Sequence, residues 1–70
     1  MSKARHYREG HTTIWLAFAP INQAWTVWRE DNGHQALVRI FNEYDEAVEN
    51  YVNRVAFLKE VVQHEQQADS

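Results

Sequence analysis

The side chains that could do chemistry in this 70-residue chain are carboxylates, histidines and tryptophans, since cysteine is absent. The only serines, Ser2 and Ser70, stand at the two ends of the chain. These counts exclude thiolate zinc sites and cysteine nucleophiles, and they argue against a positioned serine nucleophile. Glu46 and Glu49 could form a carboxylate pair for general acid–base catalysis, but the pattern offers no cleft to tune them. The composition therefore predicts a protein that is not an enzyme.

Metal and cofactor binding are not predicted either. None of the four histidines is paired at i and i+4 on a predicted helix, which is the spacing that holds a metal on one helix face. With two glycines in the chain, a glycine-rich phosphate-binding loop cannot be built. The four histidines are His6, His11, His34 and His64, and the two glycines are Gly10 and Gly33. We expect no metal and no cofactor.

The charge of −3 is unevenly distributed along the chain. Residues 1–29 carry four basic groups and one acid, which gives +3, whereas residues 30–70 carry nine acids and three basic groups, which gives −6. An acidic body is a poor surface for duplex DNA, because phosphate contacts need cations. Part of this acidity forms a strip on one face of the predicted helix, consisting of Asp45, Glu46, Glu49 and Glu60. The strip is either a solvated helix face or a surface that fits the basic groove of a nucleic-acid-binding protein.

Three runs of the chain alternate as β-strands do. The first covers 12–18, the second 25–30 and the third 35–41, and all are rich in β-branched and aromatic residues. Asn32 and Gly33 between the last two runs are the favoured pair for a two-residue type I′ turn. This turn places Asp31 opposite His34, and it predicts that Trp28 faces Leu37 and that Trp25 faces Ile40.

That register divides the sheet into two faces. One face is apolar and includes Val27, Val38 and Ile40, so it is expected to pack against the rest of the protein. The other carries an aromatic surface with an arginine, consisting of Trp15, Trp28, Arg39 and Phe41. This aromatic face fits a stacking platform for single-stranded nucleic acid, a protein-contact hot spot, or large side chains that cover one another.

A helix is predicted from about 43 to 64. Asn42 is a suitable N-cap, and acids occupy the first turn. A stripe of apolar residues recurs at spacings of three and four, at Tyr44, Val48, Tyr51, Val55, Leu58 and Val62. Such a helix is roughly 33 Å long, whereas a seven-residue strand spans about 23 Å, so the last turns extend beyond the sheet. The apolar side chains of that overhang, Phe57, Val61 and Val62, are candidates for contact with a partner or a second copy.

The chain therefore reads as one α+β domain over residues 12–64, with a three-stranded antiparallel sheet packed on one long C-terminal helix. Residues 1–11 are expected to be a flexible basic arm, and residues 65–70 a frayed tail. No apolar run reaches 18 residues and none follows the basic start as in a signal peptide, so we expect a cytoplasmic protein without membrane contact. A core of this size is marginal and favours stabilisation by a partner or by dimerisation.

The runs 25–29 and 36–41, followed by Asp45-Glu46-Ala47-Val48, form a hairpin that leads into an acidic helix start. In size, β-β-β-α layout and acidity, residues 12–64 resemble small phage-encoded anti-CRISPR proteins. That resemblance implies inhibition of a host surveillance complex by binding it, in some members as an acidic mimic of DNA. It carries over no functional residue, and the basic arm departs from a uniformly acidic mimic.

We thus expect a non-enzymatic inhibitor that binds a host protein or ribonucleoprotein complex through a basic surface of that partner. Direct binding of nucleic acid by the basic arm and the aromatic face is the first alternative. A homodimer with a structural role is the second.

Overall fold

The computed structural model describes the backbone of residues 4–68 and the side chains of residues 4–61. Four strands are followed by one helix: β1 (Arg5–Glu9), β2 (Thr12–Ala19), β3 (Ala24–Asp31), β4 (His34–Phe41) and α1 (Tyr44–Ala68). The strands form one antiparallel sheet in the order β1-β2-β3-β4, and α1 packs against it. The α+β class and the single C-terminal helix are confirmed, whereas the prediction of three strands is wrong.

The additional strand lies in the segment that was expected to be a flexible arm. Residues Arg5–Glu9 pair with β2 in a register that sets Tyr7 opposite Ile14, and Gly10 turns the chain with a φ of 59°. Tyr7 packs against the core, and the Lys59 Nζ atom of α1 lies 5.0 Å from the centre of its ring. β1 is short and polar, so its sequence resembles a basic tail, but it pairs with β2 along its whole length and Tyr7 anchors its helix side to the core. Residues 1–3 of the predicted arm lie outside the described part of the chain.

The turn predicted at Asn32 and Gly33 is confirmed. Both residues have positive φ, at 51° and 86°, and Asp31 is paired with His34. The Asp31 carboxylate accepts hydrogen bonds from Thr12 Oγ1 at 2.6 Å and from Arg29 Nε at 2.7 Å. Both hydrogen bonds lower the pKa of Asp31 from its usual value, and the one from Arg29 has the larger effect. The same carboxylate thereby ties the start of β2 to the end of β3.

Beyond that turn, a β-bulge in β4 changes the predicted register. Arg29 is opposite Ala36 and Val27 is opposite Arg39, so two residues of β4, Leu37 and Val38, span the interval that Trp28 alone spans on β3. Leu37 adopts the left-handed conformation, with a φ of 54°. An extra residue in one strand shifts every later side chain by one position.

The predicted faces of β4 are consequently exchanged at its C-terminal end. Trp25 is paired with Phe41 and not with Ile40. Val38 and Ile40 were expected to face the core, but they are 47% and 57% exposed. Arg39 and Phe41, which were expected on the outer face, lie on the side of the sheet that faces α1.

The core lies between the middle of the sheet and the first four turns of the helix. Its members are at most 9% exposed: Ile14, Leu16, Val27, Ala47, Tyr51 and Leu58. Two of the predicted stripe residues of the helix, Tyr51 and Leu58, are among them, which confirms the helical face that the spacing indicated.

The helix is longer than the sheet it covers. Its 25 residues span about 37 Å, whereas an eight-residue strand spans about 26 Å. It begins one residue later than predicted and continues to Ala68, so residues 65–68 of the predicted tail are helical and residues 69–70 lie outside the described residues.

Candidate functional site

The acidic strip of α1 lies where the sequence predicted it. Its four carboxylate side chains are all exposed: Asp45, Glu46, Glu49 and Glu60. At about 100° per residue they fall within an arc of about 100° on the side of the helix opposite the buried Ala47, Tyr51 and Leu58. Within the described side chains, the ion pair is between Arg29 and Asp31, so none of the strip carboxylates has a cationic partner. With respect to the described side chains, the strip is therefore an exposed and unpaired anionic surface.

The charge density of the strip is lower than that of a nucleic acid. Asp45 and Glu60 are separated by about 22 Å along the helix, so the four carboxylates amount to about one charge per 6 Å. A single DNA strand carries about one phosphate per 3.4 Å. The strip therefore has roughly half the linear charge density of one strand.

The outer face of the sheet carries an aromatic ladder, which we define as His6, Trp15 and Trp28. The His6 and Trp15 rings are 4.8 Å apart between centres, and those of Trp15 and Trp28 are 6.0 Å apart with planes 13° from parallel. Each pair is directly opposed in neighbouring strands, so the rings stack across the sheet from β1 to β3. His6 was missed because it belongs to the segment expected to be an arm.

This stacking limits what the ladder can bind. A base-binding platform presents the flat face of a ring to the incoming base. In the ladder Trp15 lies between the rings of His6 and Trp28, and its Nε1 atom is buried without a hydrogen-bond partner among the described residues. The arrangement fits large side chains that cover one another better than it fits a base platform.

The other two members of the predicted aromatic face are on the opposite side of the sheet. Arg39 lies 5.6 Å from the centre of the Phe41 ring, and Phe41 packs against the core. Near Phe41, Trp25 makes edge-on contacts with Phe18 at 5.1 Å and with Tyr44 of α1 at 4.6 Å. The structure therefore does not bring Arg39 and Phe41 together with Trp15 and Trp28. The bulge in β4 is the reason.

A groove of about 570 Å³ opens between β4 and α1, and sequence reasoning did not find it. Its lining combines apolar and cationic side chains: Ile14, Arg29, Leu37, Val38, Arg39, Asn50, Asn53, Arg54, Phe57 and Leu58. The Asn50 Oδ1 and Arg54 Nη1 atoms are buried there without a hydrogen-bond partner in the described part of the chain. Burial and, secondarily, the charge of Arg39 lower the pKa of the Arg54 guanidinium. The groove is thus apolar and cationic, and two of its polar atoms have no hydrogen-bond partner among the described residues.

The predicted contact residues at the overhang fall beside this groove. Phe57 lines it and is 62% exposed, while Val61, one turn later, is half-buried. The Val62 side chain lies outside the described residues. The overhanging helix end therefore presents at least one large apolar side chain to solvent.

Comparisons with protein families, with curated proteins and with solved structures find no match to this chain. Over the described residues, no helix is long and apolar enough to cross a membrane. Over the same residues, no three acidic or histidine side chains come together as a metal site. What the chain does must be argued from its surfaces.

Proposed function

We propose that this protein is a non-enzymatic inhibitor that binds a nucleic-acid-handling protein or ribonucleoprotein complex in the cytoplasm of a host cell, as phage-encoded anti-CRISPR proteins do. The observation that carries the proposal is the acidic strip of α1, whose four exposed carboxylates have no cationic partner among the described side chains. A rigid helix holds them in a fixed line. A partner with a basic groove is complementary to such a line in both shape and charge.

The strip contributes mainly to encounter and to competition with nucleic acid. Complementary charge accelerates association and directs the acidic helix to the surface that phosphates would occupy. Its charge density, about half that of one DNA strand, makes it a partial mimic of DNA, so apolar contacts must supply part of the affinity. The exposed Val52 and Phe57 flank the strip on its two sides and are suited to that role.

The proposal is tested by reversing charge on the strip without disturbing the start of the helix. The double variant Glu49→Lys and Glu60→Lys avoids the first turn, where an acid also stabilises the helix dipole. The matched control, Glu30→Lys and Glu65→Lys, makes the same change of net charge outside the strip and away from the first turn of α1. Each chain is immobilised and used to capture proteins from a bacterial lysate at several salt concentrations.

We expect the wild-type chain and the control to capture a nucleic-acid-handling complex, with binding that weakens as salt increases. The strip variant should lose about tenfold or more in affinity for that complex, since each reversal turns an attraction into a repulsion. Equal capture by the strip variant and the wild type would refute the proposal.

The first alternative, direct binding of nucleic acid, is weakened by the geometry of the aromatic ladder, whose rings stack on one another. A gel-shift experiment with labelled single-stranded and duplex DNA separates the two functions. The inhibitor proposal predicts no shift with either DNA at physiological salt, whereas a nucleic-acid-binding module would shift single strands in a salt-dependent way.

A further inference from the structure

One side of α1 changes from acidic to basic along the chain. Glu46, Asn50 and Arg54 follow one another at intervals of four residues, so they lie on one side of the helix, about 6 Å apart along the axis. Phe57 continues the same side. Asn50, Arg54 and Phe57 line the groove between α1 and β4, and Glu46 stands one turn before them.

The groove beside this helix face lacks the partners that its polar atoms require. Asn50 Oδ1 is an acceptor without a donor, and Arg54 Nη1 is a donor without an acceptor, within the described residues. Arg39 and Arg54 are both cationic, and no acid is among the described residues that line the groove. An occupant that carries acids is therefore complementary in charge to this lining.

The rim of the groove is apolar and exposed. Leu37 of β4 and Phe57 of α1 both line the groove and are 68% and 62% exposed. β4 is the last strand of the sheet in the described chain, so its outer edge has no neighbouring strand there. Such a rim is stabilised when a second apolar surface covers it.

We propose that the occupant is a second copy of this chain, whose α1 lies antiparallel to the first across a twofold axis near Asn50. Reversing the helix direction sets Glu46 of the second copy opposite Arg54, and the twofold axis repeats this ion pair on the other side. Asn50 of the two copies meet at the axis, between the two ion pairs. The interface is isologous: one surface supplies both the cation and the acid that the groove requires.

A second copy explains the sequence of the helix face better than an unrelated ligand does. An anionic small molecule would neutralise Arg39 and Arg54. It would not account for the spacing of Glu46, Asn50 and Arg54 at one residue per helical turn. Glu46 belongs to both the strip and this interface, but the two proposals are tested separately, because the strip variant changes Glu49 and Glu60, which lie outside the interface.

The first test is the mass of the chain in sedimentation equilibrium between low micromolar and millimolar concentrations. The wild type should change from 8.3 kDa to about twice that mass as concentration rises. Glu46→Arg and Arg54→Glu should each raise the dimer dissociation constant about tenfold or more, because like charges then meet at two places. Combining both changes in one chain should restore the dissociation constant to within about threefold of the wild type.

The control for Glu46→Arg is Asp45→Arg, which makes the same charge change in the same helical turn but points away from the groove. It should leave dimerisation unchanged. A wild type that stays monomeric at millimolar concentration would overturn the proposal, and so would a dimer that none of the interface variants weakens.

A second test does not depend on how well the charge variants fold. Because the chain contains no cysteine, a single Asn50→Cys places one thiol at the proposed axis. Under mild oxidation this variant should form a covalent dimer rapidly, whereas Asn53→Cys, less than one turn away, should do so at least tenfold more slowly. Equal rates for the two variants would contradict the twofold axis at Asn50.

Discussion

The bulge in β4 decides which side chains face the helix, and it can be tested by replacing Leu37 with glycine. Leu37 has a φ of 54°, a conformation that disfavours every residue with a Cβ atom except in special settings. Glycine adopts it freely. The substitution should therefore remove strain at this one position of the strand, whereas glycine elsewhere in the same strand only weakens it.

The left-handed conformation costs a non-glycine residue roughly 1–2 kcal/mol. Leu37 is 68% exposed, so removing its side chain loses only about a third of the ~1.5–3 kcal/mol that full burial provides. The additional freedom of glycine in the unfolded chain costs a further ~0.5–1 kcal/mol. Gain and loss nearly cancel, and Leu37→Gly should leave the free energy of unfolding within about 1 kcal/mol of the wild type.

The matched control is Ile40→Gly, on the same strand and 57% exposed. Ile40 has no strained φ to relieve, so we expect a loss of about 1–2 kcal/mol, or several degrees in melting temperature. Urea unfolding followed by tryptophan fluorescence measures both variants. Equal destabilisation of Leu37→Gly and Ile40→Gly would contradict the left-handed conformation of Leu37 and, with it, the bulge that exchanges the faces of β4.

Two further predictions concern the stability of the fold. Leu16→Ala removes a side chain with no exposed surface and should destabilise the protein by about 2–5 kcal/mol, a large part of the ~4–10 kcal/mol expected for a 70-residue domain. Its melting temperature, followed by circular dichroism, should fall by about 10 °C or more. An unshifted melt would contradict the core assignment. Asp31→Asn should flatten the dependence of stability on pH. The pKa of Asp31 is lower in the folded protein, so its carboxylate contributes stability above its unfolded pKa and loses that contribution as the pH falls through the folded pKa. In urea unfolding, the wild type and Asp31→Asn should therefore differ most at pH 7 and converge near pH 2. Parallel curves over that range would show that Asp31 is not responsible.

Those parts of the fold that depend on local chemistry could be predicted from the sequence. Asn32 and Gly33 define their turn because few residues tolerate positive φ twice in succession, and the spacing of Tyr51 and Leu58 defines the buried side of α1. β1 could not be recognised in this way, since it is short, polar and stabilised by pairing with β2. The bulge at Leu37 is also beyond a periodicity argument, because leucine gives no sign of a left-handed conformation.

The same division applies to the candidate site. The acidic strip was predictable because four acids at helical spacing share a face wherever the helix forms. The aromatic face was only half predictable, since the bulge moves Arg39 and Phe41 to the other side of the sheet. The groove depends on the distance between β4 and α1, so the polar atoms of Asn50 and Arg54 become informative only when the tertiary structure is known.

The proposed inhibition is tested most directly by competition with nucleic acid. A complex captured by this chain is loaded with fluorescently labelled DNA or RNA, and the wild-type protein and the Glu49→Lys, Glu60→Lys variant are titrated against it at physiological salt. We predict that the wild type displaces the nucleic acid and that the strip variant requires at least about tenfold more protein to do so. Equal displacement by both proteins, or binding of the wild type without displacement, would contradict the role of the acidic strip.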